Sequence, residues 1–101
     1  MFARVCTFRG GGPRFDEGVA LFRDQVVPED EKQPGFEGAL LLANPACEVS
    51  YAITFWRSEE DLAATRDLGW RLAEMTAHEL EVEVAVASFE VAFANLPALV
   101  A

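Results

Sequence analysis

The side chains best equipped for chemistry in this sequence are few and scattered. His78 is the single histidine of the chain, and an imidazole that titrates near neutrality is a ready general base or metal ligand. A histidine late in a helix is also favoured by the negative end of the helix dipole, which needs no chemistry at all. Tyr51, Trp56 and Trp70 suit the wall of a pocket for a flat organic molecule, since such pockets are mostly apolar with a few polar groups. Aromatic residues in a small protein serve the core equally well, so both readings stand for these three.

Other candidates have plainer explanations. Glu59, Glu60 and Asp61 follow Ser58, which resembles a capping box and places negative charge where a helix dipole is positive. As a catalytic carboxylate pair they would need burial to raise a pKa, whereas acids on a first turn are normally solvated. Gly10-Gly11-Gly12-Pro13 lacks the GxGxxG and Gly-Lys-Ser/Thr patterns of phosphate loops, and reads as a turn with unusual backbone angles. Cys6 and Cys47 have no CxxC or Cys/His spacing, so they are read as free thiols, Cys6 within a strand, with no metal site.

The bulk properties narrow the classes further. The 101 residues carry 17 acidic and 8 basic side chains and a formal charge of −9, which repels phosphate backbones and anionic membranes and excludes nucleic acid as a partner. Hydrophobic residues make up 51% and eight are phenylalanine; that supply exceeds what one small core consumes and asks for burial against another surface. No apolar run spans a bilayer and "MFARVCTFRGGG" lacks the apolar core of a secretory signal, so the expected location is the cytoplasm.

Positioning these residues requires regular elements, and their order is legible. "FARVCTFR", residues 2–9, is rich in β-branched and aromatic residues and reads as a strand ended by the glycines. Phe15, Val19, Phe22 and Val26 fall on one stripe of an amphipathic helix that Pro28 ends or kinks, and "EDEKQPG" then reads as a solvated turn whose charges need no functional explanation. "FEGALLLAN" and "VSYAITFW", joined by "PAC", form a β-hairpin. A second helix runs from about Glu59 to His78 or beyond, with a close approach, kink or break near residues 67–70 because Gly69 costs about 1 kcal/mol against alanine in a helix. "EVEVAVASFEVAFA", residues 81–94, is a long last strand with a bulge or bend expected near Ser88 and Glu90. The apolar tail "NLPALVA" is expected to dock on a surface.

Strand, helix, strand, strand, helix, strand is the split βαβ order, so residues 1–101 form a single α+β domain of ferredoxin-like βαββαβ type. A four-stranded antiparallel sheet with two helices on one face leaves its other face bare. Because the strands carry apolar residues on both faces, a homodimer packed sheet to sheet is expected.

The stretch "QPGFEGALLLANPACEVSYAITFWRSEEDL", set in that order of elements, resembles the dimeric α/β-barrel superfamily of the antibiotic biosynthesis monooxygenases. The matching pieces are the Pro34-Gly35-Phe36 turn into the second strand and the strand-Trp56-Arg57-Ser58-Glu59-Glu60 entry to the second helix. The resemblance implies a cleft between sheet and helices that binds a substrate or haem. It implies either a cofactor-independent monooxygenase acting on a small aromatic or polyketide-like compound, or a dimer that binds a small apolar ligand without turnover. The haem degraders of that superfamily use an asparagine in the first strand and a tryptophan and an iron-ligating histidine in the second helix. Here those places hold Cys6 or Thr7 and Thr65, and His78 lies about a turn beyond, so haem degradation is disfavoured and no cofactor is expected. Tyr51, Trp56, Trp70 and His78 are the expected cleft residues, with no catalytic set assigned.

Overall fold

In the computed structural model, which describes residues 1–97, four strands make one antiparallel sheet in the order β2-β3-β1-β4. They are β1 (Phe2–Arg9), β2 (Phe36–Asn44), β3 (Val49–Trp56) and β4 (Glu83–Glu90). The helices are α1 (Phe15–Leu21), α2 (Val27–Glu31), α3 (Glu59–Ala64) and α4 (Arg66–Leu80). This is the ferredoxin-like α+β fold expected from the order of elements, and the first three strands and the first helix begin where the sequence pattern places them. No described helix is long and apolar enough to cross a membrane.

At Pro28 the helix is distorted rather than ended, the second of the two outcomes expected there. The chain does not leave the helix there: a π turn, Phe22–Val26, joins α1 to α2, and the Val27 amide donates to the Phe22 carbonyl. Proline has no N–H and its ring crowds the carbonyl four residues back, so a wider turn just before it lets the helix continue with Pro28 in the first turn of α2. Asp30 is thereby carried inward and is buried. The solvated turn read from "EDEKQPG" is corrected at this residue.

The second helix breaks earlier than the glycine suggested. Ser58 Oγ accepts from the Asp61 amide at 3.1 Å, which is the expected cap. The reciprocal half is different, because the Asp61 carboxylate takes the Ser58 hydroxyl at 2.9 Å and Arg57 at 3.2 Å. α3 then stops at Thr65 (φ −103°), whose hydroxyl lies 3.1 Å from the Asp61 and Leu62 carbonyls. Gly69 sits inside α4 and marks a close approach: a Cβ there would meet Arg4 Cδ and Nε at 2.8 Å.

β4 is shorter than residues 81–94 and has no bulge. Its eight residues pair in unbroken register with the eight of β1, and beyond Glu90 there is no further β1 residue to pair with except Met1, whose carbonyl accepts from Val91 at 2.9 Å. The bulge lies instead in β2, between Phe36 and Gly38. Residues 95–97 are exposed rather than docked on this chain, and residues 98–101 lie outside the described part.

Register separates the two faces of the sheet. Arg4, Cys6 and Phe8 of β1 stand beside Thr54, Ala52 and Ser50 of β3 and beside Ser88, Val86 and Val84 of β4, and this face carries the helices. Phe8, Ala52 and Ala77 are the buried centre of a cluster with Phe22, Leu41, Val82 and Val84 against it. The opposite face presents Leu42 (50% exposed), Tyr51 (39%) and Phe89 (55%). Trp56 closes the helix side completely, at 0% exposure, with its Nε1 donating to Thr54 Oγ1 at 3.0 Å and the edge of its ring against Phe36.

Gly69→Ala tests the close approach. Its helix-propensity gain of about 1 kcal/mol should be outweighed by overpacking against a pinned Arg4, leaving a net loss of about 1–2 kcal/mol in urea unfolding. In an Arg4→Met background the same change should become stabilising, and equal effects in both backgrounds would show that Arg4 is not what Gly69 accommodates.

Candidate functional site

An elongated cavity separates the helices from the inner face of the sheet. Its exposed end lies at Gly10–Gly12, Pro45 and Glu48, and its buried end at Arg4, Asp30 and Thr54. Along β1 the two ends are six residues apart, roughly 20 Å at strand rise. The cavity has a volume of about 90 Å³, below the roughly 300 Å³ at which drug-sized ligand pockets begin. Phe8, Phe15 and Phe22 line the space without filling it, together with Val19, Val26, Leu41 and Leu72.

The exposed end is built by the three glycines. Gly10 and Gly11 have φ of 105° and 71°, angles that glycine adopts without a Cβ clash. The Gly10 amide donates to the Glu48 carbonyl at 2.8 Å and the Gly12 amide to Glu48 Oε1 at 3.3 Å. The turn is thus pinned to the β2–β3 connection.

The buried end is built by a charged strand residue. Arg4 is 4% exposed, and burying a guanidinium is costly unless its donors are satisfied. Nη2 donates to the Leu62 carbonyl at 2.7 Å and Nη1 to Thr65 Oγ1 at 3.2 Å, both groups at the break between α3 and α4. Its carbon Cζ lies 5.7 Å from the centre of the Trp56 ring, within cation–π range. Burial pulls the Arg4 pKa down, and Asp30 and Cys6 oppose that shift.

Asp30 faces the same space from α2. It is 3% exposed, and its Oδ1 is buried with no hydrogen-bond partner. Burial pushes its pKa up to about 6, Arg4 pulls the other way, and Glu29 adds to the rise. Arg4 and Asp30 feel each other's charge without forming an ion pair within 4.0 Å. Cys6 lines the same cavity from β1, and burial pushes its thiol up to about 11, so it stays protonated at neutral pH. A carboxylate of pKa about 6 is mostly ionised at pH 7 and still basic enough to accept a proton.

The residues expected from sequence are dispersed. Tyr51 is on the outer face of the sheet, Trp56 is enclosed beneath Arg4, Trp70 is 40% exposed on α4, and His78 is exposed on the same helix. None of the four lines the cavity, and the structure does not bring them together. Arg4 and Asp30 had readable signals. Arg4 alternates with Cys6 and Phe8 on the buried side of an apolar strand, and Asp30 extends the Phe15-Val19-Phe22-Val26 stripe by one more step of four. Ending the helix at Pro28 hides that step.

No family model matches this sequence. Two uncharacterised proteins of Mycobacterium tuberculosis, MT2635 and Rv2558 from two strains, are each 36% identical to it over 80 residues, 77% of this chain. The chain spans about a third of the length of these curated relatives, 34%. Among solved structures, the ActVA-Orf6 monooxygenase of Streptomyces coelicolor in complex with nanaomycin D superposes with a TM-score of 0.72 at 21% identity, over 96% of this chain and 92% of that one. SnoaB, a cofactor-independent oxygenase of Streptomyces nogalater, gives 0.63 at 22% over 96% and 97%. The haem degrader MhuD of M. tuberculosis gives 0.62 at 24% over 94% and 99%. The chain shares the ferredoxin-like fold with these three proteins.

The raised Asp30 pKa has a stability consequence. Between 3.8 and about 6 the native state holds a proton that the unfolded chain has released, so unfolding free energy falls as pH rises through this window and stays lower above it. The cost is about 1–3 kcal/mol. Asp30→Asn should therefore be more stable than the parent at pH 7.5 and should lose most of that advantage at pH 4, read by urea unfolding at both pH values. A variant less stable than the parent at pH 7.5 would show that the carboxylate is not strained there.

Proposed function

We propose that this chain is one subunit of a cytoplasmic homodimer whose cavity oxygenates a small aromatic or polyketide-like compound, using dioxygen without metal or flavin. The observation that carries this reading is the apolar cavity ending on a buried acid and a buried guanidinium. It is supported by a fold shared with a monooxygenase and a cofactor-independent oxygenase. Such chemistry needs a substrate able to become an electron-rich anion, because the anion is what gives electrons to dioxygen. For a methylene across the ring from an enolisable ketone, as in anthrone, the balance closes. The carbon loses two hydrogens and four electrons, one oxygen atom becomes the new carbonyl, and the other leaves with the two hydrogens as water.

The haem alternative finds less support. The lone histidine, His78, is exposed outside the cavity, and Thr65 is committed to Arg4. The apolar outer face with Leu42, Tyr51 and Phe89 supports sheet-to-sheet pairing of two copies, since water contact over such a patch is unfavourable. Both cysteines are free, which suits a reducing cytoplasm, and cell fractionation that finds the protein in a membrane or exported fraction would count against that location.

Two measurements test the reading. Light scattering should give about twice the 11.1 kDa chain mass, and Leu42→Asp with Tyr51→Asp should return it to one; a parent protein that stays a stable monomer overturns the pairing. Oxygen-electrode traces with anthrone should show uptake of one dioxygen per anthraquinone formed, unaffected by chelators. Binding of anthrone with no oxygen uptake would instead leave a non-catalytic ligand-binding dimer, and a Soret shift on adding equimolar haem would reopen the haem alternative.

A further inference from the structure

Among the groups that surround the cavity, Asp30 stands apart. Buried carboxylates are nearly always hydrogen-bonded. This one is 3% exposed with Oδ1 unpartnered, and it forms part of the wall of a space that reaches solvent. A side chain serving only to hold α2 on the sheet would do so through hydrogen bonds, and Asp30 makes none through that atom. The nearest compensating charge is Arg4, which is held off by more than ion-pair distance and has two of its donors tied to the α3–α4 break. An acceptor facing a donor group across unfilled space is the arrangement that takes a ligand group able both to give a proton and to carry the resulting negative charge.

We propose that Asp30 is the general base of this cavity and Arg4 the group that faces the anion it generates, so that the ligands taken are weak acids of the phenol or enolisable ring-ketone class. The step is a proton transfer. A C–H or O–H bond of the ligand breaks, the proton moves to Asp30 Oδ1, and the electron pair stays on the ligand with its charge delocalised onto an oxygen on the Arg4 side. No redox partner is needed for it. The inference rests on the reading of this cavity as a substrate site but is separate from oxygenation, which it precedes.

The charges that set the behaviour of the base are few. β1 contributes Arg4, which favours the ionised carboxylate, and Cys6, which is a neutral thiol; the base's own helix contributes Glu29, which disfavours ionisation. β3 and α4 face this end of the cavity with Thr54, Gly69, Leu72 and Thr76, which carry no charge. The balance leaves a carboxylate that titrates at about 6, so base activity should rise with pH through that value and level off above it.

Deuterium exchange isolates the step. The intact protein, held under argon in buffered D2O with anthrone, should accelerate label entry at the methylene carbon, read by mass spectrometry, with a rate that climbs through a pH near 6. Asp30→Asn, which keeps the side-chain shape and relieves buried charge, should lose about 100-fold of that acceleration, whereas Asp30→Glu should retain part of it and shift the pH midpoint. Exchange by the Asn variant at the parent rate, or a parent profile without a rise near pH 6, overturns the assignment. If the parent exchanges label under argon but consumes no dioxygen in air, the base assignment stands and the oxygenase reading fails. If it consumes dioxygen and Asp30→Asn does so equally well, the reverse holds, and a parent that does neither overturns both.

Discussion

The burial of one positive charge organises this molecule. Arg4 enters the protein on the helix side of the sheet, where water cannot solvate it, and three separate features follow from the need to satisfy it. The α3–α4 break at Thr65 sets the Leu62 carbonyl and the Thr65 hydroxyl where Arg4 reaches both. Gly69 removes the Cβ that would otherwise meet the side chain. Trp56, the one large side chain with no exposure among the described residues, supplies an aromatic face beneath the guanidinium. A continuous helix from Glu59 onward would be locally more regular, but it would commit the Leu62 carbonyl to a backbone amide one turn on. The irregular helix and the buried arginine are therefore two sides of one arrangement.

Asp30 completes that arrangement from the opposite wall and does so imperfectly. In contact with Arg4 it would neutralise the guanidinium and become an unreactive ion-pair partner with a depressed pKa. Held further off, it attracts Arg4 enough to remain ionised near neutrality while burial keeps it basic. The same displacement that costs stability leaves space between donor and acceptor. Local disagreement with the rules that govern the rest of a fold is where function is to be sought, and this cavity has one such place at its closed end.

The fold was legible because it depends on patterns that neighbours reinforce. Period-two alternation in residues 49–56, the 15-19-22-26 stripe and the Ser58 cap each match the structure, and their order specifies the topology. Long-range features were less legible for identifiable reasons. The length of β4 is set by its partner, since a strand cannot extend past the eight residues of β1 that it pairs with. The break at Thr65 answers a side chain 61 residues away, which no local propensity encodes, whereas the close approach expected at Gly69 is there. The aromatic residues and the histidine were natural choices for a site by type, yet type says nothing about which face of an element a residue occupies. Tyr51 and Ala52 are adjacent in sequence and lie on opposite sides of the sheet.

Pro28 shows how a single local rule can conceal a site. Read alone, it ends or kinks a helix, and the acids after it become a solvated turn. The chain instead opens one π turn, in which the Val27 amide reaches back to Phe22, and resumes the helix with the proline in its first turn, where a missing donor costs nothing. That extra turn carries Val26 and Asp30 both onto the cavity wall. Without it, the helix would stop near Val26, the wall would end in apolar residues, and Arg4 would face no acid across the space. The π turn is thus the local structural step that converts a hydrophobic stripe into a cavity with a titratable end, and it links the backbone irregularity at residues 22–26 directly to the electrostatics of Asp30.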